Sequence, residues 1–284
     1  VVTVLFSAVL LVLGNMVIEK MIRTSVNDLV DAKLAEIHVG LDRVAEAALS
    51  QAALFSRADA VLEAYATARR GDMGEASDPE MEKARQQLRT HFESIENGYR
   101  DVFQGADLRL HFHVPPARSL LRLWKKNQNK SDDLSGFRET ILAISRGKHD
   151  PVKGIEIGRG GFVIRGIAPI HSREGAYLGS VESLSDFDPV VKGSVADDRE
   201  YIAVYMNKRH LSIATGLKDQ KAHPVLGDDF VFVNSTRRDV TDPLINGDFL
   251  RESQTSGKAE RVIGNYVVTA VPVTSYSGEQ VGVM

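Results

Sequence analysis

The 284-residue chain contains no cysteine. That excludes a disulfide framework, a thiolate metal site and a cysteine nucleophile. Neither sign of charge is in surplus: 35 Lys+Arg stand against 38 Asp+Glu, a formal net charge of −3. No global basic excess is therefore present to recruit nucleic acid. No G-x-S-x-G, no H-E-x-x-H and no paired catalytic acid set occurs, so the sequence offers no support for an enzyme. Gly154 to Gly161 is rich in glycine. It misses G-x-G-x-x-G at Val163, and no Gly-Lys-Ser/Thr follows, so it reads as a tight turn and not as a phosphate loop. No charge falls in residues 1–18 and no proline in residues 19–70, where Gly40 is the lone glycine.

Hydrophobic residues make up 43% of the chain, which is globular in character. The length suffices for one large domain or two modest ones with a real core. The apolar run of residues 1–18 approaches what a bilayer crossing needs, and it predicts a membrane helix. A cleaved signal peptide would want a shorter core and a small-x-small exit, and neither is present. A buried helix of a soluble protein would show some polar face.

From residue 19 to about 70 the sequence predicts one long helix. Val26, Val30, Leu34, Ile37, Leu41, Val44 and Ala48 are spaced by alternating steps of four and three, a coiled-coil spacing. Two readings stay open, an amphipathic helix covering its own domain and a stalk that pairs with a second copy. After a loop from Gly71, Asp78-Pro79 predicts a capped helix start, and that helix runs to about Tyr99. The region 19–105 is thus a long helix followed by a helical hairpin.

The period then changes to two. Leu108 to Val114 alternates as a strand, and Pro115-Pro116 ends it. Ala117 to Lys126 reads as a short helix, Arg138 to Arg146 as another. Residues 155–157, 161–170 and 177–184 read as antiparallel strands. Asp186 and Asp188 are placed as caps of a linker helix beginning near Pro189. Strands follow at 201–205, 230–233, 265–273 and 280–284. Two of these hairpins repeat each other. Phe162 to Ile170 holds Ala168-Pro169, then a turn with Gly175, then Leu178-Gly179. Tyr266 to Val273 holds Val271-Pro272, then a turn with Gly278, then Val281-Gly282. A repeated hairpin implies two copies of one small module. The fold class expected is α+β: a long N-terminal helix, then tandem modules at 106–190 and 191–284, each an antiparallel sheet with flanking helices.

With this order of elements, the chain resembles the double Cache family of bacterial extracytoplasmic sensor domains, whose modules are PAS-like. The resemblance runs nearly the whole length, and the stretch Leu110 to Trp124 looks like the chemoreceptor members. It implies a membrane-distal module at 106–190 and a membrane-proximal one at 191–284; the homodimer expected through the N-terminal helix rests on the coiled-coil spacing of that helix. The resemblance also implies that a second membrane helix, a HAMP-type linker and a signalling domain follow Met284. Ligand would sit in the distal module, with no catalysis and no cofactor.

Arg122-x-Trp124 is similar to the Arg-x-Trp of amino-acid-binding members, where Arg holds a carboxylate and Trp walls the pocket. A planar guanidinium suits that task. The tyrosines flanking that motif are here Ala117 and Lys125, and Leu184 stands near the place of its aspartate, between Glu182 and Asp186. Arg118, in the same segment, is a second candidate, and surface salt bridging is the alternative for both arginines; for Trp124 it is core packing. Arg165 lies inside an apolar strand, where an unpaired charge is costly. It faces either a ligand carboxylate, as in dicarboxylate-sensing relatives, or Glu182 on the next strand. His111 and His113 share a strand face. An H-x-H pair can bind metal, but no third ligand follows at a persuasive spacing, so no metal is assigned; a ligand-contacting role is expected, His113 lining the pocket beside Pro115. The candidate site is therefore His111, His113, Arg118, Arg122, Trp124, Arg165, Glu182 and Asp186, taking a small organic anion such as a carboxylate or amino acid. A membrane histidine kinase sensor, or an ectodomain binding a periplasmic protein, is the alternative to a chemoreceptor.

Overall fold

The first proline of the chain is Pro79, and helix occupies most of what precedes it. The computed structural model describes residues 2–125 and 131–284. Helix α1 spans Val2–Ser56 and α2 spans Asp59–Ala68. The expected single helix through residue 70 is therefore broken. The Ser56 hydroxyl turns back to the Ala53 carbonyl (2.8 Å) and Ala58 is extended. The break lets Val61, Ala64, Tyr65 and Ala68 point into the core. The membrane run predicted at 1–18 falls largely outside the residues whose side chains are described. Among the described residues no helix is long and apolar enough to cross a membrane.

Helix α3 runs Pro79–Val102, and Asp78 caps it by accepting from the Glu80 and Met81 amides, each at 2.9 Å. Strands β1 (Leu110–Val114) and β2 (Arg118–Arg122), helix α4 (Glu139–Arg146), then β3 (Val152–Gly158), β4 (Gly161–His171) and β5 (Tyr177–Asp186) make the first module. Its sheet has the order β2-β1-β5-β4-β3, antiparallel throughout. The short helix expected at 117–126 is instead the edge strand β2. Leu120, Leu121 and Leu123 are buried there, and pairing with β1 satisfies a backbone that one helical turn would leave unpaired.

Helix α5 (Asp188–Gly193) links to the second module. No side chain caps it. Asp188 lies in its first turn, and Asp186 pairs with Arg109 instead. The second module comprises β6 (Ala203–Asn207), β7 (Val225–Leu226), β8 (Phe230–Ser235), α6 (Arg238–Thr241), α7 (Gly247–Ser256), β9 (Ala259–Ile263), β10 (Tyr266–Ala270), β11 (Pro272–Thr274) and β12 (Gln280–Val283). Its sheet has the order β11-β12-β6-β8-β7, and β9 and β10 form a separate hairpin. The strand expected at 265–273 is thus split at Val271.

The hairpin repeat extends to the register. Ile170 faces Gly179 and Val273 faces Gly282, with an irregularity one residue later in both. A Cβ on Gly179 would stand 2.2 Å from the His113 carbonyl on β1, and one on Gly282 would stand 2.2 Å from the Tyr205 carbonyl on β6. Both positions need glycine for the same close strand approach.

Helix α1 lies along both modules. Ala52 joins the core formed with α2, α3 and one face of the first sheet, while Ala45, Leu41 and Val44 join the core shared with the second. The contact is closest at Gly166 of β4, where a Cβ would come within 1.9 Å of the Leu49 amide nitrogen. The apolar spacing read from Ile37 to Ala48 is therefore spent on the chain's own modules.

Candidate functional site

Alternation along β1 sends Leu110, Phe112 and Val114 into the core beneath α2 and α3. His111 and His113 go to the opposite face. Register then fixes their neighbours. His111 stands opposite Glu182 on β5 and opposite Arg122 on β2. Arg165 on β4 pairs with Leu184, one diagonal step from Glu182 on the same face. Glu156 on β3 stands in the same diagonal relation to Arg165. Four neighbouring strands thus carry one polar row, His111–Glu182–Arg165–Glu156.

Arg138, which precedes α4, closes over that row. Its Nη2 and Nη1 donate to Glu182 Oε2 and Oε1 at 2.5 and 3.0 Å, and its Nε donates to Glu156 Oε2 at 2.7 Å. Arg165 Nη1 donates to Glu182 Oε2 at 3.1 Å, and its Nε lies 3.0 Å from Glu156 Oε2. Glu156 also accepts from the Thr140 amide and hydroxyl, both at 2.9 Å. Glu182 is 0% exposed and none of Arg138, Arg165, Glu156, His111 and His113 exceeds 6%. Two guanidiniums against two carboxylates keep the buried set neutral, as burial of charge requires.

Protonation follows from this arrangement. Burial, above all, pushes the His111 imidazole well below its ordinary value, helped by His113 and Arg122. Burial likewise lowers His113. Burial would raise the Glu182 carboxyl, but Arg138 and Arg165 outweigh it and hold the group well below the usual range. These directions favour neutral histidines beside an ionised Glu182.

A cavity of about 220 Å³ opens outward from this row. Arg109, Arg122, Lys125, Arg138, Arg159 and Arg165 reach its lining, and Trp124, Phe137 and Phe162 supply apolar wall. Two carboxylates, Glu182 and Asp186, face it as well. Both are already engaged, Glu182 as above and Asp186 with Arg109 at 2.5 Å. Arg122 makes a two-pronged pair with Asp132, at 2.8 and 3.0 Å. Among the described residues no ion pair holds Lys125 Nζ or the exposed Arg159 guanidinium, and Asp132 acts on Lys125 only at longer range. Burial lowers Lys125 below its ordinary value, and the charges of Arg122, Arg159 and Arg109 add to that. Arg109 also stands over the Trp124 ring at 5.8 Å.

Six of the eight residues expected from sequence, His111, Arg122, Trp124, Arg165, Glu182 and Asp186, line this one cavity. His113 lies beneath its floor, 3.1 Å from Ser180 Oγ and 3.3 Å from Glu182 Oε1. Arg118 turns away and donates to the Ser131 carbonyl at 2.9 Å. The cause is an irregularity between Phe112 and His113, which pairs His113 with Ser119 and Val114 with Arg118. Ser119 and Arg122 therefore share the histidine face, and Arg118 goes to the other. Sequence reasoning missed Arg109, Lys125, Arg138, Glu156 and Arg159. The glycine-rich turn was a usable signal for Arg159, because a tight turn between two buried strands must present its one long side chain at the sheet edge.

Similarity to solved structures is spread over sensor domains. The sensor domain of the V. cholerae histidine kinase DctB is similar at 10% identity and a TM-score of 0.44, over 64% of this chain and 63% of that one. The ligand-binding domain of the Campylobacter jejuni chemoreceptor Tlp3, in complex with L-norvaline, is similar at 9% identity and a TM-score of 0.43, over 87% and 86%. An extracellular ligand binding receptor from Desulfohalobium retbaense is similar at 14% identity and a TM-score of 0.43, over 87% of this chain and 38% of that one. Among curated proteins nothing matches the chain. The family model described as the double sensory domain of two-component sensor kinase matches residues 45–284. That match, with two tandem antiparallel modules lying along one long helix, makes the chain a member of the double Cache family of sensory domains.

Proposed function

We propose that the first module is the membrane-distal one and that its cavity binds a small organic anion bearing a carboxylate. One observation carries the reading. Six cationic side chains reach the cavity, and the two acidic ones are already paired. A planar carboxylate suits the guanidiniums, Lys125 supplies a mobile point charge, and Trp124 and Phe137 cover an apolar body. The ligand changes no covalent bond; it shifts a two-state receptor by its different affinity for the two states. We further propose that the chain is the extracytoplasmic part of a membrane-anchored receptor that pairs through α1. Leu29, Val39 and Leu54 on that helix remain exposed and are available for a second copy. A chemoreceptor output is the reading carried by the Leu110 to Trp124 stretch. A histidine kinase output is the second reading, and the family description supports it.

A thermal-shift screen of the full chain against carboxylates, amino acids, amines and purines tests the cavity. An anion at 100 times its dissociation constant should add about 2.7 kcal/mol. The expected hit is a carboxylate whose shift disappears in Lys125→Ala and Arg159→Ala. A hit confined to amines or purines, or a carboxylate shift untouched by both substitutions, overturns the assignment.

A further inference from the structure

We propose that His111, His113 and Glu182 form a binding site for one divalent first-row transition ion, of the Zn²⁺ or Ni²⁺ kind, at the floor of the cavity. The strand spacing that hid this site from the sequence is what builds it. Residues 111 and 113 come from β1, and the third donor comes from β5, nearly seventy positions away but directly opposite in register. One donor atom from each of the three lies within 4.8 Å of the other two. His111 Nδ1 is 2.9 Å and His113 Nε2 is 3.3 Å from Glu182 Oε1. Metal–nitrogen and metal–oxygen bonds of about 2.0–2.2 Å in a tetrahedral shell place neighbouring donors roughly 3.3 Å apart. An ion therefore fits with small side-chain movements.

A second observation is independent of the spacing. His113 Nε2 is fully buried, makes no hydrogen bond and points at the carboxylate. The outer nitrogens, by contrast, are both held. His111 Nε2 meets Ser119 Oγ at 2.8 Å and His113 Nδ1 meets Ser180 Oγ at 3.1 Å. If each outer nitrogen carries its proton and donates it to serine, each inner nitrogen presents a lone pair to the ion. Hydrogen-bonded outer nitrogens of this kind orient metal-ligating histidines. Two imidazoles and a carboxylate select a transition ion over Ca²⁺ or Mg²⁺. Arg138 and Arg165 bear mainly on Glu182 Oε2 and make the added charge costly. A water on the ion's cavity side offsets part of it, because bound water loses a proton near neutral pH. The site is argued from donor geometry and not from the anion reading, although His111 and Glu182 also line the cavity.

The test is isothermal titration of Zn²⁺ into the full chain after removal of metal with a chelator, with Co²⁺ absorption as a second readout. One ion per chain and a low-symmetry, four- or five-coordinate cobalt spectrum are expected. His113→Ala should abolish binding, Ser180→Ala should weaken it about 10–100-fold, and His38→Ala, on the exposed face of α1, should leave it unchanged. Ser180→Ala keeps all three donors, so it decides the matter even if His113→Ala does not fold. Absence of saturable one-to-one binding by the unmodified chain, an octahedral aquo-like cobalt spectrum, or equal affinity in Ser180→Ala overturns the site. Loss of zinc binding with carboxylate binding intact separates this inference from the anion reading.

Discussion

Glu182 has no exposed surface and lies against Arg138, Arg165, His111 and His113. Removing its charge leaves two buried guanidiniums with Glu156 alone. Glu182→Gln should therefore cost about 3–5 kcal/mol, the range for breaking one side of a buried pair, read as a lower urea midpoint with an unchanged slope. A loss below about 1 kcal/mol, the scale of an exposed pair, would mean that water reaches the row. Lys125 supplies a pH signature. Its pKa lies below the ordinary 10.5, through burial and the charges of Arg122, Arg159 and Arg109. Its ammonium is present below that pKa and lost above it, so anion affinity should fall as pH rises through the alkaline range beneath 10.5. Lys125→Arg should remove the fall, because guanidinium stays charged there. An identical pH profile in that variant would place the lost charge elsewhere. At this scale the sequence showed an arginine within an apolar strand and left two partners open, a ligand carboxylate or Glu182; the structure pairs Arg165 with Glu182 at 3.1 Å. The sequence could not show Arg138. That residue acts through where α4 drops its first turn, and nothing in its neighbours' periodicity marks it.

At the scale of elements, the chain's helices and strands were legible wherever period and punctuation agreed. Asp78-Pro79 set the start of α3, and the alternation read at 108–114 contains β1, which begins at Leu110. The β2 segment failed because Ser119-Leu-Leu-Arg-Leu-Trp124 is a short apolar run, and such a run suits a buried helix turn or a paired edge strand equally. Its pairing with β1 is tertiary and leaves no local mark. The break between α1 and α2 was hidden for a similar reason: neither glycine nor proline occurs there, and the Ser56 back-bond and packing on α3 end the helix. Two predictions belong here. Gly166→Ala puts a Cβ within 2.3 Å of the Leu49 Cα and 1.9 Å of its nitrogen, so α1 must lift from β4; a marked loss of thermal stability is expected, and a wild-type melting curve would contradict the contact. The Tyr65 hydroxyl stands 2.9 Å from the His113 carbonyl and 3.0 Å from that of Ser180, fully buried. Tyr65→Phe should cost about 1–3 kcal/mol, because two buried carbonyls share the lost donor; a change within a few tenths would show that they are satisfied without it.

Across the whole molecule, the buried polar row and the long helix meet at one strand. Arg165, which holds Glu182, is followed directly by Gly166, where α1 comes closest to the sheet. In the proposed receptor, an anion that draws Arg138 or Arg165 away from Glu182 acts on β4 and so on the helix lying across both modules. The tandem architecture was readable from the repeated Pro–turn–Gly hairpin, and the shared register at Gly179 and Gly282 explains why both copies place glycine there. The identity of the cavity's cations was less readable, since Arg109, Lys125 and Arg159 come from a strand margin and two turns and converge only in three dimensions. The most direct check of the anion reading is calorimetric titration of the full chain with the best carboxylate hit and with its neutral amide. Binding of the acid with at least a tenfold loss for the amide, about 1.4 kcal/mol, is the expected result. Equal affinity for acid and amide would contradict an anion-selective cavity.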